Sequence, residues 1–110
     1  MATSEEFFAI EMRVGTVLHA EPFPEARKPS IKLVIDFGPE VGQKRSSAQL
    51  TVHYAPEHLV GRQVIAAVNL GSRRIAGFTS EVLVLGAMPS ATEVVLLSLD
   101  QPVANGIRIG

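Results

Sequence analysis

From Met12 to Ala20 the chain alternates, with Val14, Thr16, Leu18 and Ala20 at every second position against Arg13, Gly15, Val17 and His19. A side-chain period of two predicts a strand, and the glycine inside it suits a bend or bulge. Pro22, Pro24 and Pro29 then predict a rigid, irregular loop. Ile31, Leu33, Ile35 and Phe37 alternate with Lys32, Val34, Asp36 and Gly38 as a second strand, which Gly38 to Gly42 close as a turn. A third strand is predicted from Ser46 to His53, with Ala48, Leu50 and Val52 toward the core and Ser47, Gln49, Thr51 and His53 facing outward or into a cleft.

Pro56 at a first helical position and Gly61 as a stop predict a single helical turn. Gln63 to Leu70 reads as a fourth strand, apolar on both faces except at Asn69, and Gly71 to Gly77 as a loop carrying Arg73 and Arg74. Val82–Leu85 and Val94–Leu99 are two further apolar, β-branched runs, separated by Gly86, Pro89 and small polar residues. Ahead of all these, Thr3 and Glu6 have the spacing of a capping box, so a brief helix bearing Phe7, Phe8 and Ile10 is expected.

Five or six short strands with frequent turns predict an all-β sandwich or small closed barrel. The helical turn between the third and fourth strands is where an oligonucleotide/oligosaccharide-binding (OB) fold places its helix, and such a barrel binds across strands 2 and 3 and the loops at their mouths. The expected fold is a five-stranded OB-fold barrel with short peripheral helices, one domain over residues 1–110, since 110 residues cannot build two independent cores. With 46% hydrophobic residues and a mean hydropathy of +0.25, the chain can bury a core. No cysteine is present, so disulfides, thiolate metal sites and cysteine nucleophiles are excluded. An acidic start and no apolar run of membrane-spanning length predict a cytoplasmic protein without membrane insertion.

The net charge of −1 is unevenly spread. Residues 1–26 carry five acids and one base, residues 27–80 eight bases and three acids, and residues 81–110 three acids and one base. A basic middle could form one positive patch that attracts phosphates or acidic peptides; scattered solvated arginines are the plainer alternative. Catalytic chemistry finds no support, for there is neither a Gly-x-Ser-x-Gly elbow nor a phosphate loop, and the only paired carboxylates are Glu5 and Glu6. His19, His53 and His58 lack the spacing of a metal site. The expectation is a binding protein, not an enzyme, without metal or cofactor.

Two groups of residues remain. Asn69, Arg73, Arg74 and Ser80, with Lys32, Ser46 and Ser47 opposite, are expected to line a ligand mouth with a basic rim and an apolar floor. Taken singly, Asn69 and Ser80 have a simpler use, satisfying backbone groups at strand ends. Phe7, Phe8 and Ile10 near the start and Val103, Ile107 and Ile109 near the finish exceed what a small barrel can enclose, and predict a homodimer interface. One tyrosine, five phenylalanines and no tryptophan offer few platforms for stacking bases.

Several strings recur together and in order: Met12–Val17, Ala26–Ser30, Lys32–Gly38, Ser46–Thr51, Val68–Leu70 and Ser80–Gly86. With them the chain resembles the CsaA-type proteins, export-related chaperones within the wider tRNA-binding-domain superfamily, over nearly its whole length. The resemblance implies an OB-fold barrel working as a homodimer, binding unfolded or precursor polypeptides and associated with the protein-translocation motor. The superfamily's tRNA-binding members carry Ser-x-Gly-Met where this chain has Ser80-Glu81-Val82-Leu83, and Glu81 would repel an approaching phosphate. Leu70-Gly71-Ser72 stands where many of the chaperones have Phe-Pro-Pro, so a less aromatic pocket is expected. A polypeptide-binding chaperone and a tRNA-binding protein are the two functions that result.

Overall fold

Ile31, Leu33 and Ile35 are buried along one face of a strand, β2 (Ile31–Asp36), while Lys32, Val34 and Asp36 are only half-buried. The alternation that predicts the strand thus also aims it at the core. In the computed structural model, which describes residues 1–110, β2 lies between β1 (Met12–Pro22) and β3 (Gln43–Ala48). The sheet continues from β1 to β4 (Gln63–Ala67) and β7 (Leu83–Val84), in the order β3-β2-β1-β4-β7. All of these pairings are antiparallel, and the sheet curls into a nearly closed five-stranded barrel. The fold is the all-β OB-fold class expected.

Two antiparallel hairpins are appended: β5 (Arg73–Ile75) with β6 (Phe78–Ser80), and β8 (Gly86–Ser90) with β9 (Glu93–Leu96). The helices are short. Helix α1 (Ser4–Ala9) has the predicted capping box, Glu6 N–H donating to Thr3 Oγ1 at 3.1 Å and Thr3 N–H to Glu6 Oε1 at 2.9 Å. The expected turn after β2 is one turn of helix, α2 (Gly38–Val41), and a single 3-10 turn covers Pro56–His58.

Several boundaries differ from expectation for physical reasons. The third strand begins at Gln43 and ends at Ala48, because the Leu50 N–H bonds back to the Ala48 carbonyl at 2.9 Å and that of Tyr54 to Leu50 at 3.0 Å. This turn carries Val52 out to 59% exposure, although Leu50 stays buried. The loop expected at residues 71–77 contains β5, and Gly86 to Ser90, expected as a separator, is itself β8. Pro89 is tolerated there because a two-stranded ribbon leaves one backbone edge unpaired.

Strand β1 bends at Leu18. Val17 faces Ile35 and His19 faces Val34, so Leu18 is the extra residue of a bulge and is exposed. Gly15 has a different role from the bend expected of it. A Cβ there would lie 2.6 Å from Ile35 Cγ2 and 2.7 Å from Phe37 Cδ1, so the glycine makes room for the packed core. That core joins Val17, Phe37, Leu50, Leu59 and Val64 to the inward residues of β2.

Candidate functional site

Leucine, glycine and serine at 70–72 give way to the β5–β6 hairpin, whose two turn residues, Ala76 and Gly77, both have positive φ, +47° and +83°. That is the backbone a two-residue hairpin turn requires. Register pairs Arg73 with Ser80, Arg74 with Thr79 and Ile75 with Phe78, so Arg73, Ile75, Phe78 and Ser80 share one face. This face folds over β3. The Ser47 N–H donates to Ser80 Oγ at 3.0 Å, the Glu81 N–H to the Arg45 carbonyl at 2.8 Å, and the Arg45 N–H to Glu81 Oε1 at 3.1 Å. Phe78 is anchored alongside, its ring 5.5 Å from that of Phe23, with Lys32 Nζ 4.6 Å from the Phe23 centroid and 5.2 Å from that of Phe78.

The hairpin covers only part of the seam between β3 and β7. Beyond it opens a groove of about 330 Å³, lined by Ser47 to Gln49 of the β3 side, by Leu83 to Gly86, and by Met88 and Val94 of the β8–β9 hairpin. A smaller hollow of about 200 Å³ adjoins it, sharing Ser47, Arg73, Ile75 and Leu83. Seven of the eleven residues lining the larger groove are hydrophobic, and Arg73 is its only charged one. The β8–β9 wall is held by the Leu96 N–H, which donates to the Tyr54 hydroxyl at 2.9 Å, and by His53 Nε2, 2.6 Å from Glu93 Oε2.

Of the residues expected at a ligand mouth, Ser47 and Arg73 line both hollows and Ser80 the smaller one. Arg73 has no carboxylate partner, and Arg74, on the opposite face of the hairpin, bonds only to Thr79 Oγ1 at 3.3 Å. Lys32 flanks the site on its phenylalanine pair. Ser46 does not reach it: fully buried, its hydroxyl donates to the Val82 carbonyl at 2.9 Å. Asn69 is also elsewhere, its Oδ1 accepting the Glu11 N–H and its Nδ2 donating to the Ala9 carbonyl, each at 2.8 Å, so it ties α1 to the barrel. The apolar floor of Ile75, Leu83, Leu85, Met88 and Val94 was not anticipated residue by residue, although the Val82–Leu85 run supplied the signal.

A second surface lies at the termini. Residues 106–109 run along the first half of β1, with the Val14 N–H bonded to the Ile107 carbonyl and the Ile109 N–H to the Met12 carbonyl, both at 2.9 Å. The Arg108 guanidinium donates to the Phe8 carbonyl at 2.8 Å and brings α1 beside this segment. Phe7, Phe8, Ile10 and Ile107 are all exposed, Phe8 at 50%, while Ile109 is half-buried. Val103 is exposed too, held further along at Gln63, whose Nε2 donates to its carbonyl at 2.6 Å.

The family described as "Putative tRNA binding domain" matches residues 12–108. Among curated proteins, the methionine–tRNA ligases of Thermotoga maritima and Methanocaldococcus jannaschii are 32% and 36% identical over 107 and 100 residues. These alignments take in 97% and 91% of the chain but only 16% and 15% of the ligases, so the chain spans about a sixth of their length. Among solved structures, the chaperone CsaA of Bacillus anthracis is 54% identical with a TM-score of 0.94, covering 100% of this chain and 99% of that one. The CsaA chaperone protein of Picrophilus torridus is 42% identical with a TM-score of 0.91 and full coverage of both chains. A MetRS-related protein of Pyrococcus horikoshii follows at 28% identity and 0.87, covering 100% of this chain and 98% of that one.

Proposed function

This chain belongs to the tRNA-binding-domain family and is of its CsaA type, and we propose that it acts as a homodimeric chaperone that holds unfolded or precursor polypeptides. The observation that carries this reading is the groove beside the β5–β6 hairpin, about 330 Å³ in volume and mostly apolar. Such a volume takes apolar side chains of an unfolded segment, and their burial supplies affinity that needs no sequence-specific partner. The exposed apolar residues of α1 and the C-terminal segment support the dimer, which would bury on the order of 1,600 Å² across a twofold axis. A cytoplasmic location accords with the acidic start and with the absence of a helix long and apolar enough to cross a membrane, while contact with the protein-translocation motor rests on the resemblance to export-related chaperones alone.

Recognition of tRNA is the second reading, favoured by the family match and by the cations on this side of the barrel. Two of those cations are already engaged, Lys32 on its phenylalanine pair and Arg45 with Glu81 and Phe78. Arg73 and Arg74 make no ion pair and remain for phosphates, as do the exposed Arg27 and Lys28 of the loop before β2. A salt series on the parent and on Arg73→Glu with Arg74→Glu tests the choice. For a chaperone, capture of a denatured polypeptide falls only mildly with salt and moderately with the double reversal, because apolar burial is not screened. Salt-steep tRNA binding that the double reversal abolishes, with no polypeptide capture, would replace this function by the second.

A further inference from the structure

The wall of the groove formed by β3 is a strand edge that the β5–β6 hairpin and Glu81 occupy as far as the Ser47 N–H and leave unpaired beyond it. Odd-numbered residues of β3 direct their backbone groups away from β2: the Arg45 N–H goes to Glu81 and the Ser47 N–H to Ser80 Oγ. Because the N–H and C=O of a strand residue point the same way, the Ser47 carbonyl leaves by this edge too. Gln49 lies just past the strand, at the centre of the turn that the Leu50 N–H closes on the Ala48 carbonyl, and because that carbonyl is on the β2 side, the Gln49 N–H across the same planar peptide points away from β2. Neither its N–H nor its carbonyl takes part in any backbone hydrogen bond, and the Ser47 carbonyl accepts none from a turn or loop. An acceptor at Ser47 and a donor at Gln49 thus straddle Ala48, the spacing with which a strand receives a neighbour. All three residues line the 330 Å³ groove.

Charge narrows what fits. The groove and its adjoining hollow contain no Asp or Glu among their lining residues, and Arg73, which borders both, has no carboxylate partner. An occupant that sets a carboxylate at Arg73 gains an ion pair there, whereas a lysine-rich segment would be repelled. An RNA strand has no alternating amide donors and carbonyl acceptors with which to meet the β3 edge.

Resting on the chaperone reading, we propose that the groove takes its client as an added strand: an extended polypeptide segment bonds through its backbone to Ser47 and Gln49, buries alternate apolar side chains against Leu83 and Met88, and places an acidic residue at Arg73. Backbone recognition is tolerant of sequence, which a chaperone's range of clients requires, while the apolar floor and Arg73 set a composition preference.

The test is a backbone N-methyl scan. A short fluorescent peptide of valine, leucine and threonine with one aspartate is titrated against the full chain, each backbone nitrogen being methylated in turn. The expected result is a loss of about tenfold that recurs at alternate positions within the bound stretch, since only every second amide points at the partner strand. Hydrogen exchange at the Gln49 amide is expected to slow when the parent peptide binds, and exchanging the aspartate for lysine to weaken binding several-fold. Uniform or absent N-methyl effects, or an unprotected Gln49 amide, overturn strand addition even if the peptide binds. If the peptide fails while a denatured polypeptide is captured, this groove mode is wrong and the chaperone reading stands. Failure of both alongside tight tRNA binding removes both.

Discussion

The Ser47 N–H donates to the Ser80 hydroxyl oxygen at 3.0 Å, so the hairpin that borders the groove is fastened to the barrel by a side chain where a strand ladder would use a carbonyl. Ser80 is almost fully buried and Ser47 half-buried. Replacing Ser80 with alanine leaves that N–H unpaired, at a cost of about 1–3 kcal/mol. A lower denaturation midpoint and weaker polypeptide capture are expected together in Ser80→Ala. An unchanged midpoint would show that the hairpin is held by Phe78 and Glu81 alone.

Gly15→Val places branched carbon where even a Cβ would stand 2.6 Å from Ile35 and 2.7 Å from Phe37. Both neighbours are fully buried and cannot swing away. Overpacking of this kind costs roughly 1–3 kcal/mol, and chemical denaturation should register it as a lower midpoint with little change in slope.

Ala76 sits at φ +47° in the turn between β5 and β6, a conformation that a Cβ makes unfavourable and asparagine tolerates better. Ala76→Asn is therefore expected to stabilise the protein by about 0.5–1 kcal/mol. A thermal midpoint that does not rise would contradict this account of the hairpin.

Periodicity located β2 and the α1 capping box because both depend on near neighbours. The third strand's end was invisible, since Val52 continues the apolar phase of Ala48 and Leu50 and only the turn bond from Leu50 to Ala48 removes it from the sheet. Ser46 falls in that same inward phase, and its burial was readable from alternation although its hydroxyl suggested a surface role. Arg73 and Arg74 could be foreseen as cations near a rim, yet which one faces the groove depends on the β5–β6 register, fixed by a turn containing a non-glycine residue at positive φ. Asn69 illustrates the commonest fate of a polar residue after a strand, spent on backbone groups of a distant segment.

The dimer is open to a direct test because α1 buries no residue in its own barrel. Phe7→Glu with Phe8→Glu should leave the fold and its thermal midpoint as a monomer intact while bringing two like charges to each side of a twofold contact. Light scattering is expected to give a dimer for the parent at micromolar concentration and a monomer for the variant. A monomeric parent contradicts the interface.

The most direct measurement of the central claim is a pair of titrations of the parent chain at physiological salt, one with a denatured polypeptide and one with tRNA. The account predicts saturable polypeptide binding at least about tenfold tighter than tRNA, a difference of about 1.4 kcal/mol. Saturable tRNA binding with no capture of the denatured polypeptide would contradict it.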